Sequence, residues 1–169
     1  MNKRLPAHLI RMLATDGAIP YGGYATTGPE VLVCSAREAG RLRPSPQGVV
    51  IALRDPGSAP APLKSGWKAI LDLEVPDVDV TGELTPPTNM GPIAETIAEF
   101  SMRHRDARMF VLHCHRGVSR SRSTAAAICE AFDWPYQWTV LHEPLCHAVG
   151  VALSNRLLWA LWDSSGFMR

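Results

Sequence analysis

Short apolar runs, separated by polar or glycine- and proline-containing stretches, recur along the chain from residue 31 onward. Each run is rich in Val, Ile and Leu and is apolar at consecutive positions, which is typical of parallel strands buried on both faces. The pattern predicts four strands, over residues 31–34, 48–53, 69–75 and 109–114.

Helical patterns lie between and after the predicted strands. Pro92 suits a first helical position, and the apolar residues that follow it, Ile93, Ile97 and Phe100, repeat at the spacing of one helix face. Ser35 carries a side chain that can cap a short helix. Helices are therefore predicted over 35–39, from 92 to about 100, over 120–132 and over 153–162.

Strands that alternate with helices predict an α/β fold, with a mainly parallel central sheet of about four to five strands flanked by helices. In such folds, binding and catalytic sites form at the carboxyl ends of the strands. The length of 169 residues suits one domain, which we place at 31–169. Glycine and proline interrupt residues 1–30, so we expect this stretch to be an N-terminal arm, draped over the domain or mobile.

Composition narrows the class of protein. Hydrophobic residues make up 46% of the chain and charged residues 20%, which suits a buried core rather than disorder. The formal charge of +1 lacks the basic excess of a nucleic-acid binder, so no nucleic-acid partner is expected. No apolar run approaches the ~18 residues of a membrane span. Four cysteines are too sparse for a disulfide scaffold and favour a reducing, cytoplasmic location.

The most informative segment follows the strand predicted at 109–114. Cys114 ends that strand, and the backbone N–H groups of residues 115–120 can turn inward at the start of the next helix. Such surroundings lower thiol pKa values to roughly 3.5–7.5 and also accept a phosphate. Arg120 offers a planar fork to two phosphate oxygens, and Gly117 permits a conformation or a close approach that a Cβ would obstruct. Ser121 can hydrogen-bond the sulfur. Together these groups predict a nucleophile that attacks phosphorus.

The order His-Cys-x-x-Gly-x-x-Arg-Ser at 113–121 resembles the signature loop of the cysteine-based protein tyrosine phosphatase superfamily. The stretch Gly-Val-Ser-Arg-Ser resembles its dual-specificity branch in particular. The resemblance implies a phosphatase-like fold, a nucleophilic Cys114, a supporting His113 that orients the loop, and no metal or organic cofactor. It also implies a phosphate-binding loop formed by His115, Arg116, Gly117, Val118, Ser119 and Arg120.

The family also uses an aspartate, on the loop after the preceding strand, as general acid and then as general base. Two aspartates directly follow the strand predicted at 69–75, and the resemblance favours Asp77, with Asp79 as the alternative acid. Glu83, farther along the same loop, is a third candidate. Asp72 lies within the strand and is expected to be structural.

A metal site is the competing interpretation, because His and Cys also cluster at 113–115 and again at 142–147. Adjacent strand residues point to opposite faces, so 113–115 cannot easily share one ion. The second cluster lacks the paired spacing typical of zinc sites. We therefore expect no metal, and we expect the remaining cysteines, Cys34, Cys129 and Cys146, to pack as small hydrophobic residues.

The sequence thus predicts phosphomonoester hydrolysis through a phosphocysteine intermediate, by a protein tyrosine or dual-specificity phosphatase. The expected partner is a phosphorylated protein or a small phosphomonoester. Two alternatives stay open. His115 and Arg116 would also suit a phosphoinositide or inositol-phosphate substrate, and a misplaced acid would leave a phosphate-binding pseudophosphatase without turnover.

Overall fold

The computed structural model describes residues 19–20, 28–77, 89–134, 149–154 and 156–157. In chain order the elements are β1 (Ile19–Pro20), β2 (Glu30–Ser35), α1 (Ala36–Ala39), β3 (Gly48–Arg54), β4 (Ala69–Glu74), α2 (Met90–Arg103), β5 (Met109–Cys114) and α3 (Arg120–Ala131). Residues 149–154 and 156–157 are also helical.

These strands form one sheet in the order β1-β2-β5-β3-β4. The pairs β2–β5, β5–β3 and β3–β4 are parallel, and β1 pairs antiparallel with β2 at the edge. The predicted α/β class, with a mainly parallel sheet flanked by helices, is therefore confirmed. The strand β1 lies within the stretch that the sequence analysis assigned to an arm, and Pro20 suits an edge position because it donates no ladder hydrogen bond.

The four predicted strands all form, with ends that differ by at most one residue. They differ in burial. β3 and β5 occupy the middle of the sheet and are almost wholly buried, whereas β4 is an edge strand whose residues alternate between half-buried and exposed. Its Ile70 is 46% exposed. Burial on both faces is therefore wrong for β4, because only the face with Ala69, Leu71 and Leu73 packs against the core.

The helix predicted to begin at Pro92 begins two residues earlier, at Met90. Proline is tolerated there because the N–H groups of the first helical turn have no partner within the helix. The short helix α1 has the predicted cap. The Ser35 hydroxyl accepts a hydrogen bond from the Glu38 N–H at 3.3 Å, and the Glu38 carboxylate accepts one from the Ser35 N–H at 2.7 Å.

The core lies on both faces of the sheet. The larger cluster joins alternate residues of the strands, such as Ile51 and Leu112, to buried residues of α2 and α3, such as Ile97 and Ile128. A smaller cluster on the other face includes Val50 and Val111 and is covered by α1 and the residues around it. None of the helices within the described residues has the length and apolar character that crossing a bilayer would require.

Candidate active site

Four parallel strands, β2, β5, β3 and β4, end at the same edge of the sheet, and the candidate site lies at that edge. Cys114, the last residue of β5, is in register with Ser35 at the end of β2 on one side. On the other side it is in register with Leu53 near the end of β3. The chain then passes through residues 115–119 and enters α3 at Arg120.

The loop between β5 and α3 wraps around the sulfur of Cys114. The Ser121 hydroxyl lies 3.2 Å from that sulfur, and the backbone N–H groups of Gly117, Val118 and Ser121 also donate hydrogen bonds to it. Burial by itself raises the pKa of the Cys114 thiol, but these hydrogen bonds outweigh burial and hold the pKa below its ordinary value of 9.0. Of the amides of residues 115–120 that the sequence predicts to turn inward, those of Gly117 and Val118 face the sulfur.

Gly117 is required at the centre of this loop. Its φ of +71° lies in the left-handed region that favours glycine. A Cβ at this position would also lie 2.5 Å from the carbonyl carbon of Cys34 and 2.7 Å from the backbone nitrogen of Ser35. The end of β2 thus packs directly against the loop and limits which backbone path the loop can take.

Arg120 lies beneath the same edge, 3% exposed, and its guanidinium is held by the ends of two other strands. Its Nη1 donates to the Val75 carbonyl oxygen at 2.7 Å and lies 2.8 Å from a carboxylate oxygen of Asp55. Its Nε lies 3.7 Å from a carboxylate oxygen of Asp77, which is beyond hydrogen-bond distance. Among the described residues this Nε has no hydrogen-bond partner.

A buried arginine N–H without an acceptor is costly, because the group has lost water and gained nothing in return. An oxygen of a bound anion would satisfy it. Cys114 and Arg120 lie at the two ends of the same loop. The arrangement can therefore bind a tetrahedral oxyanion next to an ionised sulfur.

The structure brings Asp77, the favoured acid, to this edge with a largely exposed carboxylate. The alternative acid Asp79 and the third candidate Glu83 lie outside the described residues. Asp72 lies in β4 and binds Arg54 at 2.7 Å, as expected of a structural residue. His115 and Arg116 are exposed at the mouth of the loop.

His113 is placed differently from what the resemblance implies. It is buried, and neither ring nitrogen has a hydrogen-bond partner in the described part of the chain. Burial lowers the pKa of His113 to about 4, with a smaller opposing effect from Asp72. The imidazole is therefore neutral at pH 7, and the orienting hydrogen bonds to the loop are absent among these residues.

The thiols of the other two described cysteines have raised pKa values, in contrast to Cys114. Cys34 and Cys129 are buried, and burial raises the pKa of each thiol to about 12. Both are free thiols, as expected of core residues. Of the three described cysteines, Cys114 is therefore the one whose surroundings favour the thiolate.

Asp55 is a site residue that the sequence analysis missed. It directly follows β3, whose carboxyl end lies beside that of β5, and its carboxylate contacts Arg120. The signal was available, since an acidic residue after a predicted central strand is expected at the functional edge of the sheet. A cavity of about 230 Å³ beside Cys114 is lined by Asp55, Arg37, His115 and the loop 58–62.

Within the described residues, no group of three or more His, Cys, Asp or Glu side chains is arranged to hold a metal ion. The cluster at 142–147 lies outside that part of the chain. Comparison with protein-family models gives no match, and comparison with curated proteins gives none either.

Proposed function

We propose that this chain hydrolyses phosphomonoesters through a phosphocysteine intermediate on Cys114, as a cysteine-dependent protein tyrosine or dual-specificity phosphatase. The observation that carries the proposal is the pairing of a thiol of lowered pKa with a buried arginine N–H that has no hydrogen-bond acceptor among the described residues. Both features suit a bound phosphate dianion and an attacking sulfur, and neither is expected in a purely structural turn.

The phosphate is bound over the loop that follows β5. Its oxygens accept hydrogen bonds from backbone N–H groups of residues 115–120 and from the guanidinium of Arg120, which also neutralises charge in the transition state. The ionised sulfur of Cys114 then attacks phosphorus in line with the leaving oxygen. The sulfur–phosphorus bond forms as the bond from phosphorus to the ester oxygen breaks.

Asp77, in its protonated form, gives a proton to the departing ester oxygen. The resulting carboxylate takes a proton from water, which attacks the phosphocysteine and releases inorganic phosphate and the Cys114 thiolate. The Ser121 hydroxyl, 3.2 Å from the sulfur, donates to the returning thiolate and makes it a better leaving group. No step requires a metal or an organic cofactor.

The mouth of the loop favours substrates with additional negative charge. His115, Arg116 and Arg37 are all exposed around it. An acidic phosphopeptide suits these side chains, and so does an inositol phosphate or phosphoinositide head group. Parallel assays with peptide, inositol and lipid phosphates separate these substrates. Because the reaction needs a reduced thiolate, we propose a cytoplasmic location.

The direct test is turnover of an aryl phosphate by the purified chain and by Cys114→Ser. The wild-type protein should release phosphate, and the variant should release none while still binding inorganic phosphate or vanadate. Tight phosphate binding by a wild-type protein that shows no turnover would instead indicate a binding module. Equal turnover in both proteins would exclude Cys114 as the nucleophile.

A further inference from the structure

Arg120 is held through one nitrogen by two acceptors from different strands. Nη1 donates to the Val75 carbonyl oxygen after β4, and it contacts the Asp55 carboxylate after β3 at 2.8 Å. We propose that Asp55 is a positioning residue, which fixes the guanidinium of Arg120 so that the edge containing Nε faces the bound phosphate. This inference rests on the phosphatase activity proposed above and assigns to that site a residue that the phosphatase resemblance did not supply.

The backbone of Asp55 is itself fixed by a tight turn. Gly57 adopts a φ of +76°, and the Ser58 N–H and hydroxyl both donate to the Asp55 carbonyl oxygen, at 3.0 and 2.6 Å. Arg54 then holds the far end of the turn by donating to the Ser58 carbonyl oxygen at 2.7 Å. Because these bonds use the Asp55 main chain, its carboxylate stays available for Arg120.

Arg54 is in turn anchored to the edge strand. Its guanidinium contacts the carboxylates of Asp72 and Glu74 in β4, each at 2.7 Å. The turn that carries Asp55 is thus tied to two neighbouring strands. This anchoring suits a fixed support for Arg120 better than a carboxylate that must swing away in each catalytic cycle.

Asp55 and Asp77 differ in how closely they contact Arg120 and in exposure, which suits a positioning role for Asp55 and an acid role for Asp77. The Asp55 carboxylate is in hydrogen-bonding contact with Nη1, whereas the Asp77 carboxylate is 3.7 Å from Nε and more exposed. When phosphate occupies Nε, Asp77 remains able to face the leaving oxygen. A guanidinium that is already oriented loses less conformational freedom when the anion binds, which strengthens binding and alignment.

The opposing effect is electrostatic, because a carboxylate near a phosphate dianion repels it. The two effects predict opposite results for Asp55→Ala. If positioning dominates, the variant binds phosphate more weakly, by roughly 10- to 100-fold. If repulsion dominates, removal of the carboxylate strengthens phosphate binding. Asp55→Asn keeps an acceptor for Nη1 and should therefore fall between wild type and Asp55→Ala.

The experiment measures vanadate inhibition, inorganic phosphate affinity, and kcat and KM for aryl phosphates with leaving groups of different pKa. It compares wild type, Asp55→Asn, Asp55→Ala and Asp77→Asn. Asp106→Asn is the matched control, since Asp106 pairs with Lys68 at 3.0 Å away from the loop. The loss in kcat/KM for Asp55→Ala should be similar for every leaving group. The loss for Asp77→Asn should grow as the leaving group becomes poorer.

Weaker phosphate binding in the order wild type, Asp55→Asn, Asp55→Ala supports the proposal. Unchanged or tighter binding in both Asp55 variants overturns it, as does a loss confined to poor leaving groups, which would make Asp55 the acid. If Asp55→Ala fails to fold, the Asp55→Asn result decides, with weaker binding supporting the proposal and unchanged binding overturning it. A wild-type protein without turnover would contradict the proposed function instead, whatever the binding data show.

Discussion

The Ser121 hydroxyl lies 3.2 Å from the sulfur of Cys114, at the start of the helix that follows the loop. This contact supplies the largest of the effects that lower the pKa of Cys114, and backbone N–H groups supply the rest. Together they outweigh burial, which raises the pKa of Cys34 and Cys129 to about 12. One hydroxyl and a few backbone amides thus distinguish the Cys114 thiol, with its lowered pKa, from the two core thiols.

Removal of the Ser121 hydroxyl in Ser121→Ala should raise the pKa of Cys114, because that hydroxyl is the largest of the effects that lower it. The pH dependence of Cys114 alkylation by iodoacetamide, followed by mass spectrometry of the peptides, measures this. Ser101→Ala is the control, because Ser101 is a buried serine of α2. Equal alkylation of all three described cysteines at pH 7 would contradict the lowered pKa.

Gly117→Ala should disrupt the loop through two separate effects. The positive φ of Gly117 costs an alanine about 1–2 kcal/mol, and contact of its Cβ with the Cys34 backbone adds about 1–3 kcal/mol. Gly57→Ala separates them, since Gly57 has a φ of +76° with no atom within 4 Å of its Cβ position. Chemical denaturation should therefore show a larger loss of unfolding free energy for Gly117→Ala. Equal losses would mean that the close approach to β2 carries no cost.

Buried His113 should make the protein less stable as the pH falls. Its folded pKa of about 4 is below its ordinary value of 6.5, so between these values the unfolded chain binds a proton that the folded chain does not. This contribution to stability is fully present above pH 6.5 and is lost toward pH 4, by up to about 3 kcal/mol. Denaturation curves for wild type and His113→Gln from pH 7 to pH 4 measure it. Parallel curves for the two proteins would show that His113 titrates normally.

Loss of Asp77 should slow the reaction most for substrates with poor leaving groups. General acid catalysis contributes about 10²–10⁴-fold, so Asp77→Asn should lower kcat/KM by that factor for an alkyl or unactivated aryl phosphate. With a strongly acidic phenol as the leaving group, the first step needs little protonation and the loss should be small. Asp79→Asn is the matched control. Full activity in Asp77→Asn with a large loss in Asp79→Asn would reassign the acid to Asp79.

The parallel strands and the loop around Cys114 were predictable because their signals are local. Continuous apolar runs predicted the strands, and the residue types at 113–121 predicted a loop with amides that turn toward Cys114. Half-burial of β4 also had a local signal, since Asp72 and Glu74 alternate with Leu71 and Leu73 and so share one face of the strand. Its place at the edge depends on strand order, which a sequence period does not encode.

The contacts of Arg120 show a second limit of prediction from the sequence. Its acceptors, Val75 and Asp55, follow two different strands and are brought together by the sheet alone. Resemblance to a signature loop supplies residues within the loop, but it does not supply partners from separate strand ends. The ring nitrogens of His113, which have no hydrogen-bond partner among the described residues, illustrate the same point, because hydrogen bonding depends on which neighbours the fold provides.

The most direct test of the account is to trap the covalent intermediate. Asp77→Asn should be mixed with an aryl phosphate that has a good leaving group and quenched in acid within the first turnover. Formation of the intermediate should then outpace its hydrolysis, which needs the Asp77 carboxylate as base. Mass spectrometry should find one phosphoryl group on the peptide that contains Cys114 and none on the peptides that contain Cys34 or Cys129. Release of the phenol without phosphorylation of Cys114 would contradict the account.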